Sequence, residues 1–126
     1  MCIRDSTKES DIDNIEEQNM ILDIGKNTLK LIKNEISKSK TVFWNGPLGV
    51  FETSPFDRGT LEIANFIGTL TENNKIRSFA GGGDTISALN LAHVKDKFSY
   101  VSTGGGALLE LIEGKKLPGL VALGIL

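Results

Sequence analysis

Two runs of three glycines constrain this chain more than any other feature. They stand in "AGGGDTISALNLA" and, 23 residues further on, in "STGGGALLELIEG". Each run lies between a short apolar stretch and a stretch of helical period. Glycine loses more backbone freedom on folding than other residues, so such a run persists where the backbone must bend sharply or be approached closely. Two glycine turns that each lead from a strand into a helix favour an architecture in which strands and helices alternate.

The rest of the chain extends that alternation. Thr7 to Asn19 is polar and acidic, without an apolar period, and reads as linker or loop. "MILDIG" reads as a short strand closed by Gly25. From Thr28 to Lys38, Leu29, Ile32 and Ile36 fall at helical spacing, with Asn27 or Thr28 as the cap and lysines at the end, where the helix dipole favours them. "KTVFWN" is β-branched and aromatic, a buried strand. "GPLGVFETSPFDRG" is a long loop, and Thr60 to Leu70 is a helix with Ile63, Ile67 and Leu70 on one face. "KIRSFAG" and "KFSYVST" read as strands. "DTISALNLA" reads as a helix capped by Asp84 or Thr85, and "GALLELIEG" as one that Gly114 ends and Pro118 keeps from resuming. The predicted order is β-α-β-α-β-α-β-α, an α/β fold of Rossmann-like, three-layer α/β/α form, with a parallel sheet and helices on both faces. In such a sheet, ligands bind outside the carboxyl ends of the strands, and "NGPLGVFE", "GGGDT" and "STGGG" all emerge there.

Composition narrows the function classes. With 14 basic and 16 acidic residues among 126, the net charge of −2 gives no electrostatic footprint for nucleic acid or an anionic membrane. No window approaches the roughly 18 consecutive apolar residues of a membrane span. The single Cys2 makes no internal disulfide, and the one histidine, His93, lies in a polar stretch and reads as a surface residue, so neither a zinc site nor a nucleophile–histidine pair is supported.

What remains is anion chemistry at the glycine turns. Bare backbone lets phosphate oxygens reach N–H groups, and a helix start adds roughly half a positive charge. Asp84 would repel a naked phosphate but suits a Mg²⁺ lying between them, since Mg²⁺ takes one or two carboxylates plus substrate phosphates. Thr85 can donate its hydroxyl to a phosphate oxygen. The second triplet has no acid in its turn and can receive a phosphoryl group with dispersed charge. The alternative stays open at this stage: glycines at such turns also serve close packing, and Asp or Thr before a helix also serves as a cap. Glu52 suits ribose hydroxyls or is a solvated loop carboxylate, while Trp44 reads as core and Glu110 and Glu113 as a solvated helix edge.

Taken together and in order, "TVFWNGPLGVFE", "GGGDT" and "STGGGALLELIEGKKLPGLVAL" closely resemble the carboxy-terminal part of phosphoglycerate kinase, over about Asp11 to Leu123. The resemblance implies transfer of a phosphoryl group between 1,3-bisphosphoglycerate and ADP, giving 3-phosphoglycerate and ATP, in a cytoplasmic, monomeric, glycolytic enzyme that uses Mg²⁺. It matches Glu52 to the ribose-binding acid, and Gly82 and Gly83 to glycines at the nucleotide. Asp84 corresponds to the Mg²⁺ carboxylate and Thr85 to a phosphate-binding hydroxyl. Asn45 falls near the phosphates and Pro47 by the base. Gly104, Gly105 and Gly106 match the helix start that faces the migrating phosphoryl, and Ser102 and Thr103 a hinge. The family's amino-terminal domain, which holds the phosphoglycerate, and the first strands of its nucleotide domain have no counterpart here. "MCIRDS" matches nothing at this point and reads as an artefactual leader, residues 1–6, before a truncated nucleotide-binding domain, residues 7–126. Such a fragment is expected to supply the Mg-nucleotide half-site and to lack turnover alone. The alternative function is a non-catalytic nucleotide-binding or structural α/β module.

Overall fold

The computed structural model of the protein describes residues 7–125, so the leader expectation for residues 1–6 lies outside the described residues. Three strands, β1 (Thr41–Asn45), β2 (Arg77–Gly81) and β3 (Tyr100–Ser102), form one parallel sheet in the order β1-β2-β3. Among the described residues five α-helices accompany them: α1 (Lys26–Lys38), α2 (Arg58–Glu72), α3 (Gly83–Leu91), α4 (Gly105–Ile112) and α5 (Pro118–Ala122).

The two faces of the sheet are covered unequally. Alternation along the strands sends Trp44, Ser78 and Ala80 to one face, where all three are buried. Helices α1, α2 and α3 cover it with Leu29, Ile36, Ile63, Ile67 and Leu89, and Val94 and Phe98 complete the core. Trp44 packs on Phe98 with ring centroids 6.3 Å apart. Burial of such side chains contributes about 1.5–3 kcal/mol each. The other face carries a row of aromatic residues, Phe43, Phe79 and Tyr100, set side by side by the strand register. Helix α4 lies over it, with Leu108 near Gly81 and Phe43 at the carboxyl end, and Phe43 and Tyr100 remain exposed.

Helices and strands stand where the sequence places them, with four differences. "MILDIG" is not a strand: its Leu22 carbonyl accepts the Val50 amide, and Asp23 is engaged with the start of α2, so the segment ties to a loop and a helix rather than to a sheet edge. The sheet accordingly has three strands among the described residues, not four. Neither Asn27 nor Thr28 caps α1, and neither Asp84 nor Thr85 caps α3; the N-cap positions are Gly25 and Gly82, with no side-chain cap bond. Pro118 does not block a helix but opens α5 from its first turn, where its missing N–H costs nothing and its fixed φ is already helical.

Candidate functional site

Parallel register brings the three predicted loops to one level. Asn45 pairs with Gly81, and Gly81 with Ser102, so the chain leaves all three strands in one row. The two glycine turns then meet. A methyl group built on Gly105 would lie 3.4 Å from the Gly82 Cα, and one on Gly82 would lie 3.2 Å from the Asn45 Oδ1. Gly82 and Gly105 also carry positive φ angles of 98° and 39°, which an L side chain rarely adopts. These two glycines are therefore explained by the fold itself, whereas a methyl group on Gly81 would make only ordinary contact with Leu108, at 3.6 Å.

Gly83 and Gly106 are not explained that way. Neither has a positive φ, and a methyl group on either would meet nothing within 4 Å. They face open space at the first residues of α3 and α4. In α3 the Ile86 amide is already bonded to the Gly82 carbonyl, and the amides of Gly83, Asp84 and Thr85 have no protein acceptor among the described residues. The turn before α4 is held from within, since the Ser102 hydroxyl, on a side chain only 7% exposed, accepts the Gly104 amide at 3.1 Å. Thr103 beside it is exposed.

Asp84 is exposed in the first turn of α3, and its carboxylate makes no hydrogen bond or ion pair among the described residues. The capping alternative therefore has no bond to rest on. Among the described residues no group of three or more His, Cys, Asp or Glu side chains could hold a metal. A single free carboxylate beside unpaired helix-start amides instead fits Mg²⁺ held jointly by one protein acid, water and substrate phosphate.

Thr85 makes a bond within the protein that sequence did not reveal. It is 1% exposed, and its Oγ1 accepts the Gly46 amide at 2.6 Å. That bond ties the turn after β1 to α3 and leaves the Thr85 O–H to donate. The Trp44 indole donates to the Gly46 carbonyl, so Gly46 is held from both sides. Pro47 follows half-buried, and Glu52 lies exposed further along the loop, where it makes no hydrogen bond among the described residues. The structure thus brings Asn45, Gly82, Thr85 and Gly105 together.

Sequence reasoning missed two residues that shape this loop. Thr60, fully buried in α2, accepts the amides of Leu48 and Gly49 at 3.0 and 3.3 Å. Asp23 accepts the Gly59 amide at 2.8 Å. The available signals were a polar Thr on the apolar side of a helix and an acid inside an apolar run. A groove lined by Lys33, Asp57, Arg58, Glu62 and Phe66 contains none of the glycine-turn residues; within it Glu62 pairs with both Lys33 and Arg58.

Residues 2–115 match the family model of phosphoglycerate kinase. The chain belongs to the phosphoglycerate kinase family. It is 51% identical over 117 residues to the phosphoglycerate kinase of Chelativorans sp. (strain BNC1), a stretch covering 93% of this chain and 29% of that one. It is 54% identical over 113 residues to that of Bartonella henselae, covering 90% and 28%. Among solved structures, phosphoglycerate kinase from Coxiella burnetii aligns with a TM-score of 0.81 at 39% identity, over 91% of this chain and 28% of that one. The Pyrococcus horikoshii enzyme aligns with a TM-score of 0.72 at 36% identity. The chain therefore spans less than a third of the length of these relatives. Among the described residues, no helix is long and apolar enough to cross a membrane.

Proposed function

We propose that residues 7–126 are the carboxy-terminal part of a nucleotide-binding domain and form the Mg-nucleotide wall of a phosphoglycerate kinase site. The reaction is phosphoryl transfer between 1,3-bisphosphoglycerate and ADP, giving 3-phosphoglycerate and ATP, as a cytoplasmic, monomeric step of glycolysis. The observation that carries this reading is the meeting of two glycine turns in which Gly83 and Gly106 are left open for something other than protein.

In this reading the amides at Gly82, Gly83 and Asp84 hold the nucleotide phosphates, with Asn45 beside them. Asp84 binds Mg²⁺, which when present neutralises phosphate charge. Thr85 serves the same cradle from behind by fixing Gly46, and Pro47 and Glu52 serve the base and the ribose. In the Gly104, Gly105 and Gly106 turn, the amides of Gly105 and Gly106 receive the charge that spreads over the migrating phosphoryl oxygens, while Gly104 is held by Ser102. Ser102 and Thr103 form a hinge that helps the domains close. The phosphoglycerate is held by polypeptide outside the matched stretch, so one wall alone cannot position both reactants.

A coupled assay with Mg-ATP and 3-phosphoglycerate tests this. No turnover is expected from the chain alone. Turnover is expected once a polypeptide covering the unmatched part of the Chelativorans enzyme is added and shown to bind. Turnover by the chain alone would overturn the division of the site. No turnover from the bound pair would favour a non-catalytic nucleotide-binding module.

A further inference from the structure

We propose that Asp23 is a positioning residue that clamps the loop between β1 and α2, and so fixes where Glu52 stands. Its carboxylate joins two distant pieces of chain. Oδ1 accepts the Ile24 amide at 2.8 Å, and Oδ2 accepts the Gly59 amide at 2.8 Å across 36 positions of sequence. Gly59 is the second residue of α2, so the negative charge also sits at the positive end of that helix.

The loop is built tightly around this group. A methyl group on Gly49 would fall 2.5 Å from the Asp23 Oδ1 and 2.7 Å from both the Leu22 and Phe56 carbonyl oxygens. A methyl group on Gly59 would strike the same Oδ1 and come within 2.9 Å of Ile24 Cγ1. Backbone thus presses on the carboxylate from two sides, leaving no room for the longer Glu. Every amide of the loop from Gly46 to Phe51 is then accounted for. Gly46 bonds to Thr85, Leu48 and Gly49 to Thr60, Val50 to the Leu22 carbonyl at 2.9 Å, and Phe51 to the Gly49 carbonyl; Pro47 has no N–H. Thr85 and Thr60 anchor the first half of the loop, and the Leu22–Asp23 segment anchors the second, next to Glu52.

The clamp stands on these hydrogen bonds alone; its role in binding rests on the nucleotide reading of the loop. Asp23→Asn is the smallest perturbation: its one oxygen can accept only one of the two N–H groups, and its amide nitrogen accepts neither, so the carboxylate bridge is broken. Amide exchange of the full chain should show Val50 and Gly59 about five- to ten-fold less protected in D23N, relative to Ile67 in the core. Unchanged protection of Ile24, Val50 and Gly59 together overturns the clamp. In the unaltered chain Gly49, Val50 and Gly59 should open together, with one common protection. Independent opening also overturns it, and this measurement stands even where D23N does not fold. Binding is read by titrating Mg-ADP in a double-mutant cycle with Glu52→Ala. D23N should weaken binding several-fold, and the loss should vanish in the E52A background. An equal loss in both backgrounds would mean Asp23 does not act through the loop. An unaltered chain that binds no Mg-ADP would sink the nucleotide reading, and the clamp is then decided by exchange alone.

Discussion

Replacing Thr85 by Val separates the structural work of this residue from its chemistry. Val keeps the shape, but the hydroxyl that accepts the Gly46 amide at 2.6 Å is gone. Gly46 is only half-buried, so the stranded N–H falls at the low end of the 1–3 kcal/mol range for an unsatisfied donor, about 1–1.5 kcal/mol. The methyl that replaces the hydroxyl recovers part of this, leaving a net loss of about 1 kcal/mol in a urea titration. Thr85→Ser loses a buried methyl instead, also about 1 kcal/mol with the small cavity included, so global stability does not distinguish the two. The Gly46 amide does. Measured by exchange, its protection should fall about 5- to 10-fold in T85V beyond the global loss, and stay with the global loss in T85S. Equal Gly46 protection in T85V and the unaltered chain would refute the assignment of this bond, and with it the coupling of the β1 loop to α3.

Gly83→Ala should leave stability unchanged or raised by up to about 1 kcal/mol, since the position has no positive φ and Ala is the better helix former, yet it should weaken Mg-ADP binding by filling open space. Calorimetry would check both, and unaltered binding would return Gly83 to a role in turn formation only. Gly105→Ala should instead cost about 1–2 kcal/mol in chemical denaturation, the price of a left-handed L residue. The Glu62 carboxyl is held below its ordinary value by the hydrogen bond from Arg58 and then by that from Lys33. A depressed carboxylate stabilises the fold above its ordinary range, and that contribution is lost as pH falls through the folded value. With the Glu62 side chain 34% exposed, Glu62→Gln should cost about 0.5 kcal/mol near neutrality, and the difference should fade in urea titrations below pH 4.5. A difference that persists undiminished into acid would contradict the ion-pair account.

Much of the architecture was legible because periodicity reports burial. Ile63, Ile67 and Leu70 mark the inward stripe of α2, and the β-branched, aromatic run from Thr41 to Trp44 marks β1. Gly114, with its positive φ, ends the α4 segment where the sequence places the end. "MILDIG" failed for a specific reason. Its apolar run satisfies a strand pattern, but its backbone bonds go to the loop carrying Val50, a partner 28 residues away from Leu22 that no local pattern reveals. Residue type suggested the capping roles of Asp84 and Thr85, whereas position decided otherwise. Gly82 precedes them at the true cap, so Asp84 is left facing outward and Thr85 inward. The triplets could be read as turns from sequence, but which glycines the fold itself requires depends on φ and on contacts across the sheet. Only the meeting of Gly82 with Gly105 separates them from Gly83 and Gly106.

The most direct test of the account is titration of ADP into the chain with and without Mg²⁺, repeated with Asp84→Asn. The carboxylate of Asp84 makes no bond within the protein, so the substitution should cost the fold only the helix-start charge term, about 0.3–1 kcal/mol. Saturable binding that needs Mg²⁺ and weakens at least about ten-fold in D84N is predicted, since a lost charge-assisted contact is worth about 1.5–3 kcal/mol. Binding that is indifferent to Mg²⁺, or equal in D84N and the unaltered chain, would contradict the claim that this wall holds a Mg-nucleotide.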